Sequence, residues 1–102
     1  MIKLTVLYLP PDDVDAFLKH YRDVHLPLVR AVPGVAHLAA HRVRSSPGAK
    51  DLPYFLVAEM HFPDQATFDA AMRSDENKRA GRDLVGFTQG KFVMLVTEEL
   101  SG

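Results

Sequence analysis

Cysteine is absent from the 102 residues of this chain, and an excess of charge of one sign is lacking as well. Without cysteine, disulfide bonds, thiolate catalysis and zinc or iron–sulfur sites with cysteine ligands are excluded. The 12 basic and 13 acidic residues give a formal net charge of −1. Nucleic-acid-binding domains and polybasic membrane anchors carry a clear excess of lysine and arginine. The sequence therefore predicts neither a nucleic-acid partner nor a membrane partner.

Long hydrophobic runs are also missing. The apolar start of the chain stops at Pro10-Pro11, which is too early for a secretory signal peptide. No segment approaches the roughly 20 apolar residues of a membrane-spanning helix. Glycine-rich phosphate loops, Gly-x-Ser-x-Gly elbows and dinucleotide-binding fingerprints are absent too. Because proteins without cysteine fit a reducing compartment, we expect a cytoplasmic protein.

The chain does contain enough apolar sequence for one core, since 47% of its residues are hydrophobic. Its length suits one domain and is short for two, so we expect a single domain over residues 1–102. A domain this small leaves much of its surface exposed, and self-association is a common remedy.

The predicted elements follow the order strand, helix, strand, strand, helix, strand. Alternating apolar residues and turn signals predict strands at 2–9, 35–45, 53–62 and 91–98. This βαββαβ order predicts an α+β, ferredoxin-like fold, with a four-stranded antiparallel sheet and both helices on one face. The other face stays open, and apolar residues such as Val57, Val93 and Leu95 need cover. We therefore expect a homodimer.

The first helix is predicted to begin at Val14, after Asp12 or Asp13 as its N-cap. Pro27 is expected to strain or end this helix near His25, because a residue that precedes proline disfavours the α conformation.

The second helical region is predicted to start after Pro63-Asp64. Ser74 is expected to cap a further piece that ends near Leu84. Gly86 and Gly90 then predict a loop before the last strand.

His25 and Tyr21 are the leading candidates for catalysis. They lie four residues apart and so share one face of a helix. A helix C-terminus favours a charged histidine and can raise its pKa, and such a group can transfer a proton to or from an enolic or phenolic substrate. The alternative is a histidine that only caps the helix. His20 lies off this face and is expected to be solvated.

Glu59 and His61 lie two residues apart on one strand, on the same face and about 7 Å from each other. They can share a substrate, form a paired interface carboxylate or, with His25, supply the ligand types of an iron site. His37 and His41 are about 13 Å apart along their strand, so they cannot bind one metal ion together. We expect no metal site.

Two segments resemble the EthD-like branch of the dimeric α/β-barrel superfamily. The first is Phe17-Leu18-Lys19-His20-Tyr21-Arg22-Asp23-Val24-His25-Leu26-Pro27-Leu28-Val29, which carries an aromatic–tyrosine–histidine–proline–leucine pattern and is followed by Pro33-Gly34. The second is Val57-Ala58-Glu59-Met60-His61-Phe62, with His61 where tryptophan is expected in many relatives. The resemblance implies a homodimer whose open sheet faces close into one barrel. It also implies a pocket between the sheet and the helices of each subunit.

The residues and the resemblance together favour a small cofactor-independent enzyme that acts by proton transfer on a hydrophobic cyclic or aromatic oxygenated metabolite. His25 is the predicted proton-transfer group, with Tyr21 or Glu59 orienting the substrate. The predicted substrate-binding residues are Tyr8, His61, His37 and Phe55. Oxygenase, cyclase, isomerase and decarboxylase reactions share this first step and stay open. No cofactor is expected, with haem as an open alternative because the wider superfamily includes haem enzymes.

Two other classes of function compete with this hypothesis. One is a non-catalytic dimeric module that binds a small ligand. The other is an RNA-recognition module, which has the same βαββαβ order. Residues 53–59 lack the basic-glycine-aromatic start of such modules, and the net charge argues against phosphate binding.

Overall fold

The computed structural model describes residues 1–100 of the chain. Its elements are β1 (Ile2–Tyr8), α1 (Val14–His20), a π-helical segment (Tyr21–His25), α2 (Leu26–Arg30), β2 (His37–Arg42), β3 (Leu56–Phe62), α3 (Gln65–Met72), α4 (Asp75–Thr88) and β4 (Phe92–Glu98). The predicted order is confirmed. Within residues 1–100, no helix is both long and apolar enough to cross a bilayer.

The four strands form one antiparallel sheet in the order β2-β3-β1-β4. The connections from β1 to β2 and from β3 to β4 carry the helices, and both pack on the same face. This is the predicted ferredoxin-like α+β arrangement. The central strands β1 and β3 alternate between buried residues that face the helices and less buried residues that face the other side, except that Thr5 is buried on the open side.

Side-chain caps define where the helices begin. Asp13, Asp64 and Ser74 each accept a hydrogen bond from the backbone N–H of the third residue that follows. Such caps satisfy amide groups that have no partner inside the helix. The predicted helix starts are therefore confirmed.

Pro27 does not end the first helix as expected. Leu26, which precedes it, keeps helical angles (φ −59°, ψ −43°), and its N–H donates to the carbonyl of Tyr21, five residues earlier. The wider π turn takes up the irregularity, and Pro27 falls in the first turn of α2, where a missing N–H is tolerated. The helical region consequently continues to Arg30.

The loop predicted at Gly86 is also corrected. Helix α4 continues through Gly86 to Thr88, because Leu84 and Thr88 are both buried against the rest of the protein. The Thr88 hydroxyl donates to the carbonyl of Leu84. The chain leaves the helix only at Gln89, which adopts a left-handed conformation (φ 56°).

The core lies between the sheet and the helices in two clusters of buried apolar residues. One contains Ile2, Leu4, Val29, Val32, Met60, Phe62, Phe68, Ala71 and Ala80. The other contains Val6, Tyr8, Phe17, Tyr21, Phe55, Leu56, Ala58 and Leu84. The second cluster is the more aromatic, and it surrounds the candidate site.

The outer strand β4 is apolar but poorly covered on both of its faces. Val93 and Leu95 lie on the open face and are 39% and 46% exposed, while Met94 and Val96 on the helix side are 45% and 57% exposed. Four neighbouring apolar residues exposed in this way are unusual for an isolated surface strand. The expected exposure of Val93 and Leu95 is confirmed.

Candidate active site

An apolar cavity of about 210 Å³ lies between the helix-facing side of the sheet and the helices. All four strands supply one wall, and the helical segments supply the other. Apolar side chains make up most of the lining, and the polar groups among them are Tyr8, Tyr21, His25 and Asn77. A cavity with a few converging polar groups is the usual form of a small-molecule site.

His25 is a buried polar group of this cavity, with 4% of its surface exposed. Its Nδ1 lies 3.0 Å from a carboxylate oxygen of Asp83 on α4. Burial lowers the pKa of His25 below its ordinary value of 6.5, while the hydrogen bond and the charge of Asp83 act in the opposite direction. The expectation that a helix C-terminus would raise this pKa is thus wrong, because the helical region does not end at His25.

The lowered pKa of His25 favours a neutral imidazole near pH 7. An ionised carboxylate can only accept hydrogen bonds, so a neutral His25 donates Nδ1–H to Asp83 and keeps the lone pair on Nε2. No buried polar side-chain atom of residues 1–100 lacks a hydrogen-bond partner. Since none of the described residues hydrogen-bonds Nε2, this atom keeps some accessible surface, and His25 is one of the residues that line the cavity.

Tyr21 packs beside this histidine, and Tyr8 packs against Tyr21. The ring centroids of Tyr21 and His25 are 5.7 Å apart, and those of Tyr8 and Tyr21 are 5.9 Å apart, edge to face. Burial raises the pKa of both phenols, and for Tyr21 the charge of Arg30 acts in the opposite direction. Both hydroxyls therefore stay protonated and can donate a hydrogen bond to a substrate oxygen.

His20 also belongs to this site, contrary to the expectation that it would be solvated. Its Nε2 lies 2.8 Å from the other carboxylate oxygen of Asp83. Residues five apart do not share a face of an α-helix, but the wider turn of a π-helix aligns them. The π segment therefore lets His20 and His25 reach one carboxylate, and Phe87 packs against both rings at 4.6 and 5.0 Å.

Asp83 was not predicted from the sequence. It lies three residues after Ala80 and four before Phe87, hence beside the buried face of α4. The sequence does contain one signal for Asp83: it is an acidic residue next to the buried stripe of α4. Carboxylates are rarely buried without a partner, so such a residue is expected to have one.

Glu59, His61 and His37 lie on the open face of the sheet and are not brought together with His25. His61 Nε2 is 3.1 Å from a Glu59 carboxylate oxygen, Lys3 Nζ is 3.6 Å from the other, and the His37 and His61 rings are 5.0 Å apart. The hydrogen bond from His61 is the main reason that the pKa of Glu59 is lowered, and Lys3 adds to it. The sheet separates this group from the apolar cavity.

The histidine and carboxylate ligands considered for iron therefore do not converge, because His25 is on one face of the sheet and Glu59 and His61 are on the other. Within the described part of the chain, no three histidine or acidic side chains are arranged to hold a metal ion.

Phe55 lies in the aromatic part of the core rather than in the cavity wall. Its ring packs edge-on against Phe17 at 5.4 Å, and the Arg42 guanidinium lies 4.9 Å from its centroid. The predicted substrate-binding residue is thus a supporting residue, one layer from the cavity.

The sheet and the covering helices define a ferredoxin-like α+β protein, and its apolar cavity carries a histidine–aspartate pair. Residues 9–91 match the EthD domain, and the chain belongs to this family. It is 35% identical over 99 residues to an uncharacterised 11.0 kDa protein from the thcB–thcC intergenic region of Rhodococcus erythropolis, covering 97% of this chain and 95% of that protein.

Solved structures show the same fold. An EthD family protein from Bacillus halodurans is 35% identical, with a TM-score of 0.90 over 98% of this chain and 99% of that one. A dimeric ferredoxin-like protein of unknown function from Jannaschia sp. is 18% identical, with a TM-score of 0.72 over 96% of this chain and 98% of that one. The second likeness concerns the fold alone.

Proposed function

We propose that this protein is a cofactor-independent enzyme that moves a proton on a hydrophobic, oxygenated cyclic or aromatic metabolite. One observation carries the proposal: His25 is buried in the wall of an apolar cavity and is held by Asp83 through Nδ1, and none of the described residues hydrogen-bonds Nε2. A histidine oriented by a carboxylate is a recurrent general base. The apolar surroundings strengthen every interaction with charge that develops during the reaction.

The size of the cavity narrows the substrate class. Its volume is about 210 Å³, whereas sites for drug-sized ligands usually start at roughly 300 Å³. A protein cavity of about 150 Å³ holds one benzene ring. A single substituted ring therefore fits this site, with its apolar edge toward the core residues and an oxygen toward the tyrosines.

The chemical step follows from the positions of the polar groups. His25 Nε2 removes a proton from an acidic C–H or phenolic O–H of the substrate. The bonding electron pair stays on the substrate as an enolate or phenolate, whose oxygen accepts a hydrogen bond from Tyr8 or Tyr21. Asp83 stabilises the imidazolium that forms, and His25 returns the proton to the product. Oxygenation, cyclisation, isomerisation and decarboxylation can all proceed from this anion.

Glu59 has a different place in the proposal. Because it lies across the sheet from His25 and is paired with His61 and Lys3, its position supports the role of a paired interface carboxylate. The sequence left this role open as the alternative to orienting the substrate. His61 and His37 share this surface and are assigned to the same interface.

We propose further that two copies pair through the open sheet face, in the cytoplasm. The support is the exposed apolar surface of β4 together with the polar group around Glu59, which together make a surface with an apolar and a charged part. An obligate interface typically buries more than about 2,000 Å². The Jannaschia protein of the same fold is described as dimeric.

The function is tested by hydrogen–deuterium exchange in D₂O. Single-ring ketones and phenols with acidic C–H groups are incubated with the protein, and loss of the C–H signal is followed by proton NMR. We expect the wild-type protein to accelerate exchange. His25→Ala should lower the rate by about 10²–10⁴ with the fold intact.

The control is His41→Ala, which removes an exposed histidine on the opposite face and should leave exchange unchanged. Saturable binding without exchange by the wild-type protein would instead establish the alternative, a non-catalytic ligand-binding module.

A further inference from the structure

A second, more open cleft lies on the outer side of His20. It measures about 320 Å³ and lies between the loop before α1 and the end of α4. His20 is the part of the active site that faces this cleft, whereas His25 faces the apolar cavity. Asp83 binds both histidines, with one carboxylate oxygen on each.

Exposure to solvent increases steadily along this chain of groups. The side chains of His25, Asp83 and His20 are 6%, 17% and 34% exposed. A carboxylate with one bonded oxygen can rotate about its side-chain torsions, whereas two bonds in opposite directions fix its plane. His20 therefore determines which way Asp83 presents its second oxygen to His25.

We infer that His20 is a positioning residue that orients Asp83 toward His25, and that the two histidines titrate as one coupled unit through this carboxylate. Two histidines that share one acceptor cannot be protonated independently. When His20 carries a proton, its charge neutralises Asp83 and opposes protonation of His25. The acidity of the surface cleft is thereby transmitted to the buried base.

The charge on His20 acts on the pKa of His25 in this direction, against the effect of Asp83. The other titratable groups around the buried ring are Tyr8 from β1 and Tyr21 from the π segment. Asp12, Asp13 and Lys91 line the cleft with His20. Lys91 Nζ is 3.5 Å from a carboxylate oxygen of Asp12, so these two charges largely compensate each other.

The catalytic consequence rests on the proposed function, but the coupling does not. The test is therefore a titration of ¹⁵N-histidine-labelled, ligand-free protein, followed by imidazole NMR. In the wild-type protein we expect the signals of His20 and His25 each to change in two steps. Independent single-step curves in the wild-type protein would overturn the inference without any variant.

Two substitutions of His20 separate charge from position. His20→Gln keeps an N–H donor for Asp83 but removes the charge. It should give His25 a single step, at a pH higher by about 1 unit or more, which is the interaction needed to split two coupled titrations into separate steps. His20→Leu removes the donor as well. It should shift the neutral His25 toward a mixture of Nδ1–H and Nε2–H tautomers, which His20→Gln restores to Nδ1–H.

His41→Gln is the matched control and should leave the His25 curve unchanged. An unaltered His25 curve in His20→Gln would overturn the coupling, and an unaltered tautomer in His20→Leu would overturn the positioning role. If deuterium exchange is measurable, its pH profile should shift with His20→Gln as the NMR curve does. If the two histidines titrate together but the protein does not accelerate deuterium exchange, this inference is supported and the proposed function is contradicted.

Discussion

The two faces of the sheet each carry a hydrogen-bonded histidine and carboxylate, at almost the same distance. His25 and Asp83 are 3.0 Å apart on the helix side, and His61 and Glu59 are 3.1 Å apart on the open side. On the helix side, burial is the largest influence and lowers the pKa of the histidine. On the open side, the hydrogen bond is the largest influence and lowers the pKa of the carboxylate. Solvation, rather than the type of residues, separates a candidate base from an ion pair.

The pairs also differ in how the chain brings them together. Glu59 and His61 are two residues apart on β3, whereas His25 and Asp83 are separated by 58 positions. The local pair forms whenever β3 is extended. The long-range pair forms only when α4 packs against the π segment, so it reports on the tertiary structure.

The largest expected effect is on the open face, where Leu95→Asp should disrupt the proposed dimer. A two-fold axis introduces each charge twice, and an unpaired charge in an interface costs several kcal/mol. We therefore expect the dissociation constant to rise by at least about 10²-fold in sedimentation equilibrium. Val24→Asp is the control, because Val24 is similarly exposed (43%) but lies on the helix side. A wild-type monomer at micromolar concentration would contradict the dimer.

A smaller effect is expected on the free energy of unfolding, to which the His25–Asp83 pair should contribute more than the His61–Glu59 pair. Asp83→Asn leaves one oxygen acceptor for two histidines, so one hydrogen bond to a charged group is lost. It should lower the free energy of unfolding by about 1.5–3 kcal/mol, the usual contribution of such a bond. Glu59→Gln affects a more exposed pair and should lower it by less than about 1 kcal/mol.

Urea denaturation of both variants provides this measurement. Asp23→Asn is the matched control, because its carboxylate pairs with Lys19 at 3.0 Å while 59% exposed, and its effect should stay within about 0.5 kcal/mol. Equal losses for the Asp83 and Glu59 variants would remove the contrast between the two faces.

The smallest effect concerns pH. The folded-state pKa of His25 lies below 6.5, so the unfolded chain binds this proton first, and stability falls as the pH drops from about 6.5 toward the folded-state value. The contribution of Glu59 is complete above 4.5, its ordinary value, and is lost as the pH falls through its lowered folded-state pKa. The two losses therefore occupy different pH windows.

Urea titrations between pH 4 and pH 8, at constant protein concentration, separate these windows. His25→Gln should flatten the dependence just below pH 6.5, and Glu59→Gln should flatten it only below pH 4.5. An unchanged slope near pH 6 in His25→Gln would show that burial does not control this histidine.

Much of the fold was predictable because its signals are local. Asp13, Asp64 and Ser74 cap helices since their side chains reach amide groups three residues away. The errors arose where packing overrides local preference. Pro27 is accommodated by a π turn, and Gly86 continues α4 because the buried residues on either side hold the helix in place.

The candidate site was predictable to a smaller extent. Tyr21 and His25 share a face because they are four residues apart, and the alternation of β1 places Tyr8 beside them. His20 and Asp83 were missed, the first because a π turn realigns residues five apart and the second because its partners are distant in sequence. The grouping of Glu59 with His25 did not account for the sheet between them.

The sequence by itself determined the order of the elements, which strand residues share a face of the sheet and the EthD resemblance. These properties follow from backbone geometry, which fixes side-chain direction at a period of two in strands and about 3.6 in helices. Only the tertiary structure decided which carboxylate meets His25, that His20 shares it and that burial lowers the pKa of the histidine. Those outcomes depend on how α4 packs over the π segment and on how far water is excluded there, and no local pattern encodes either.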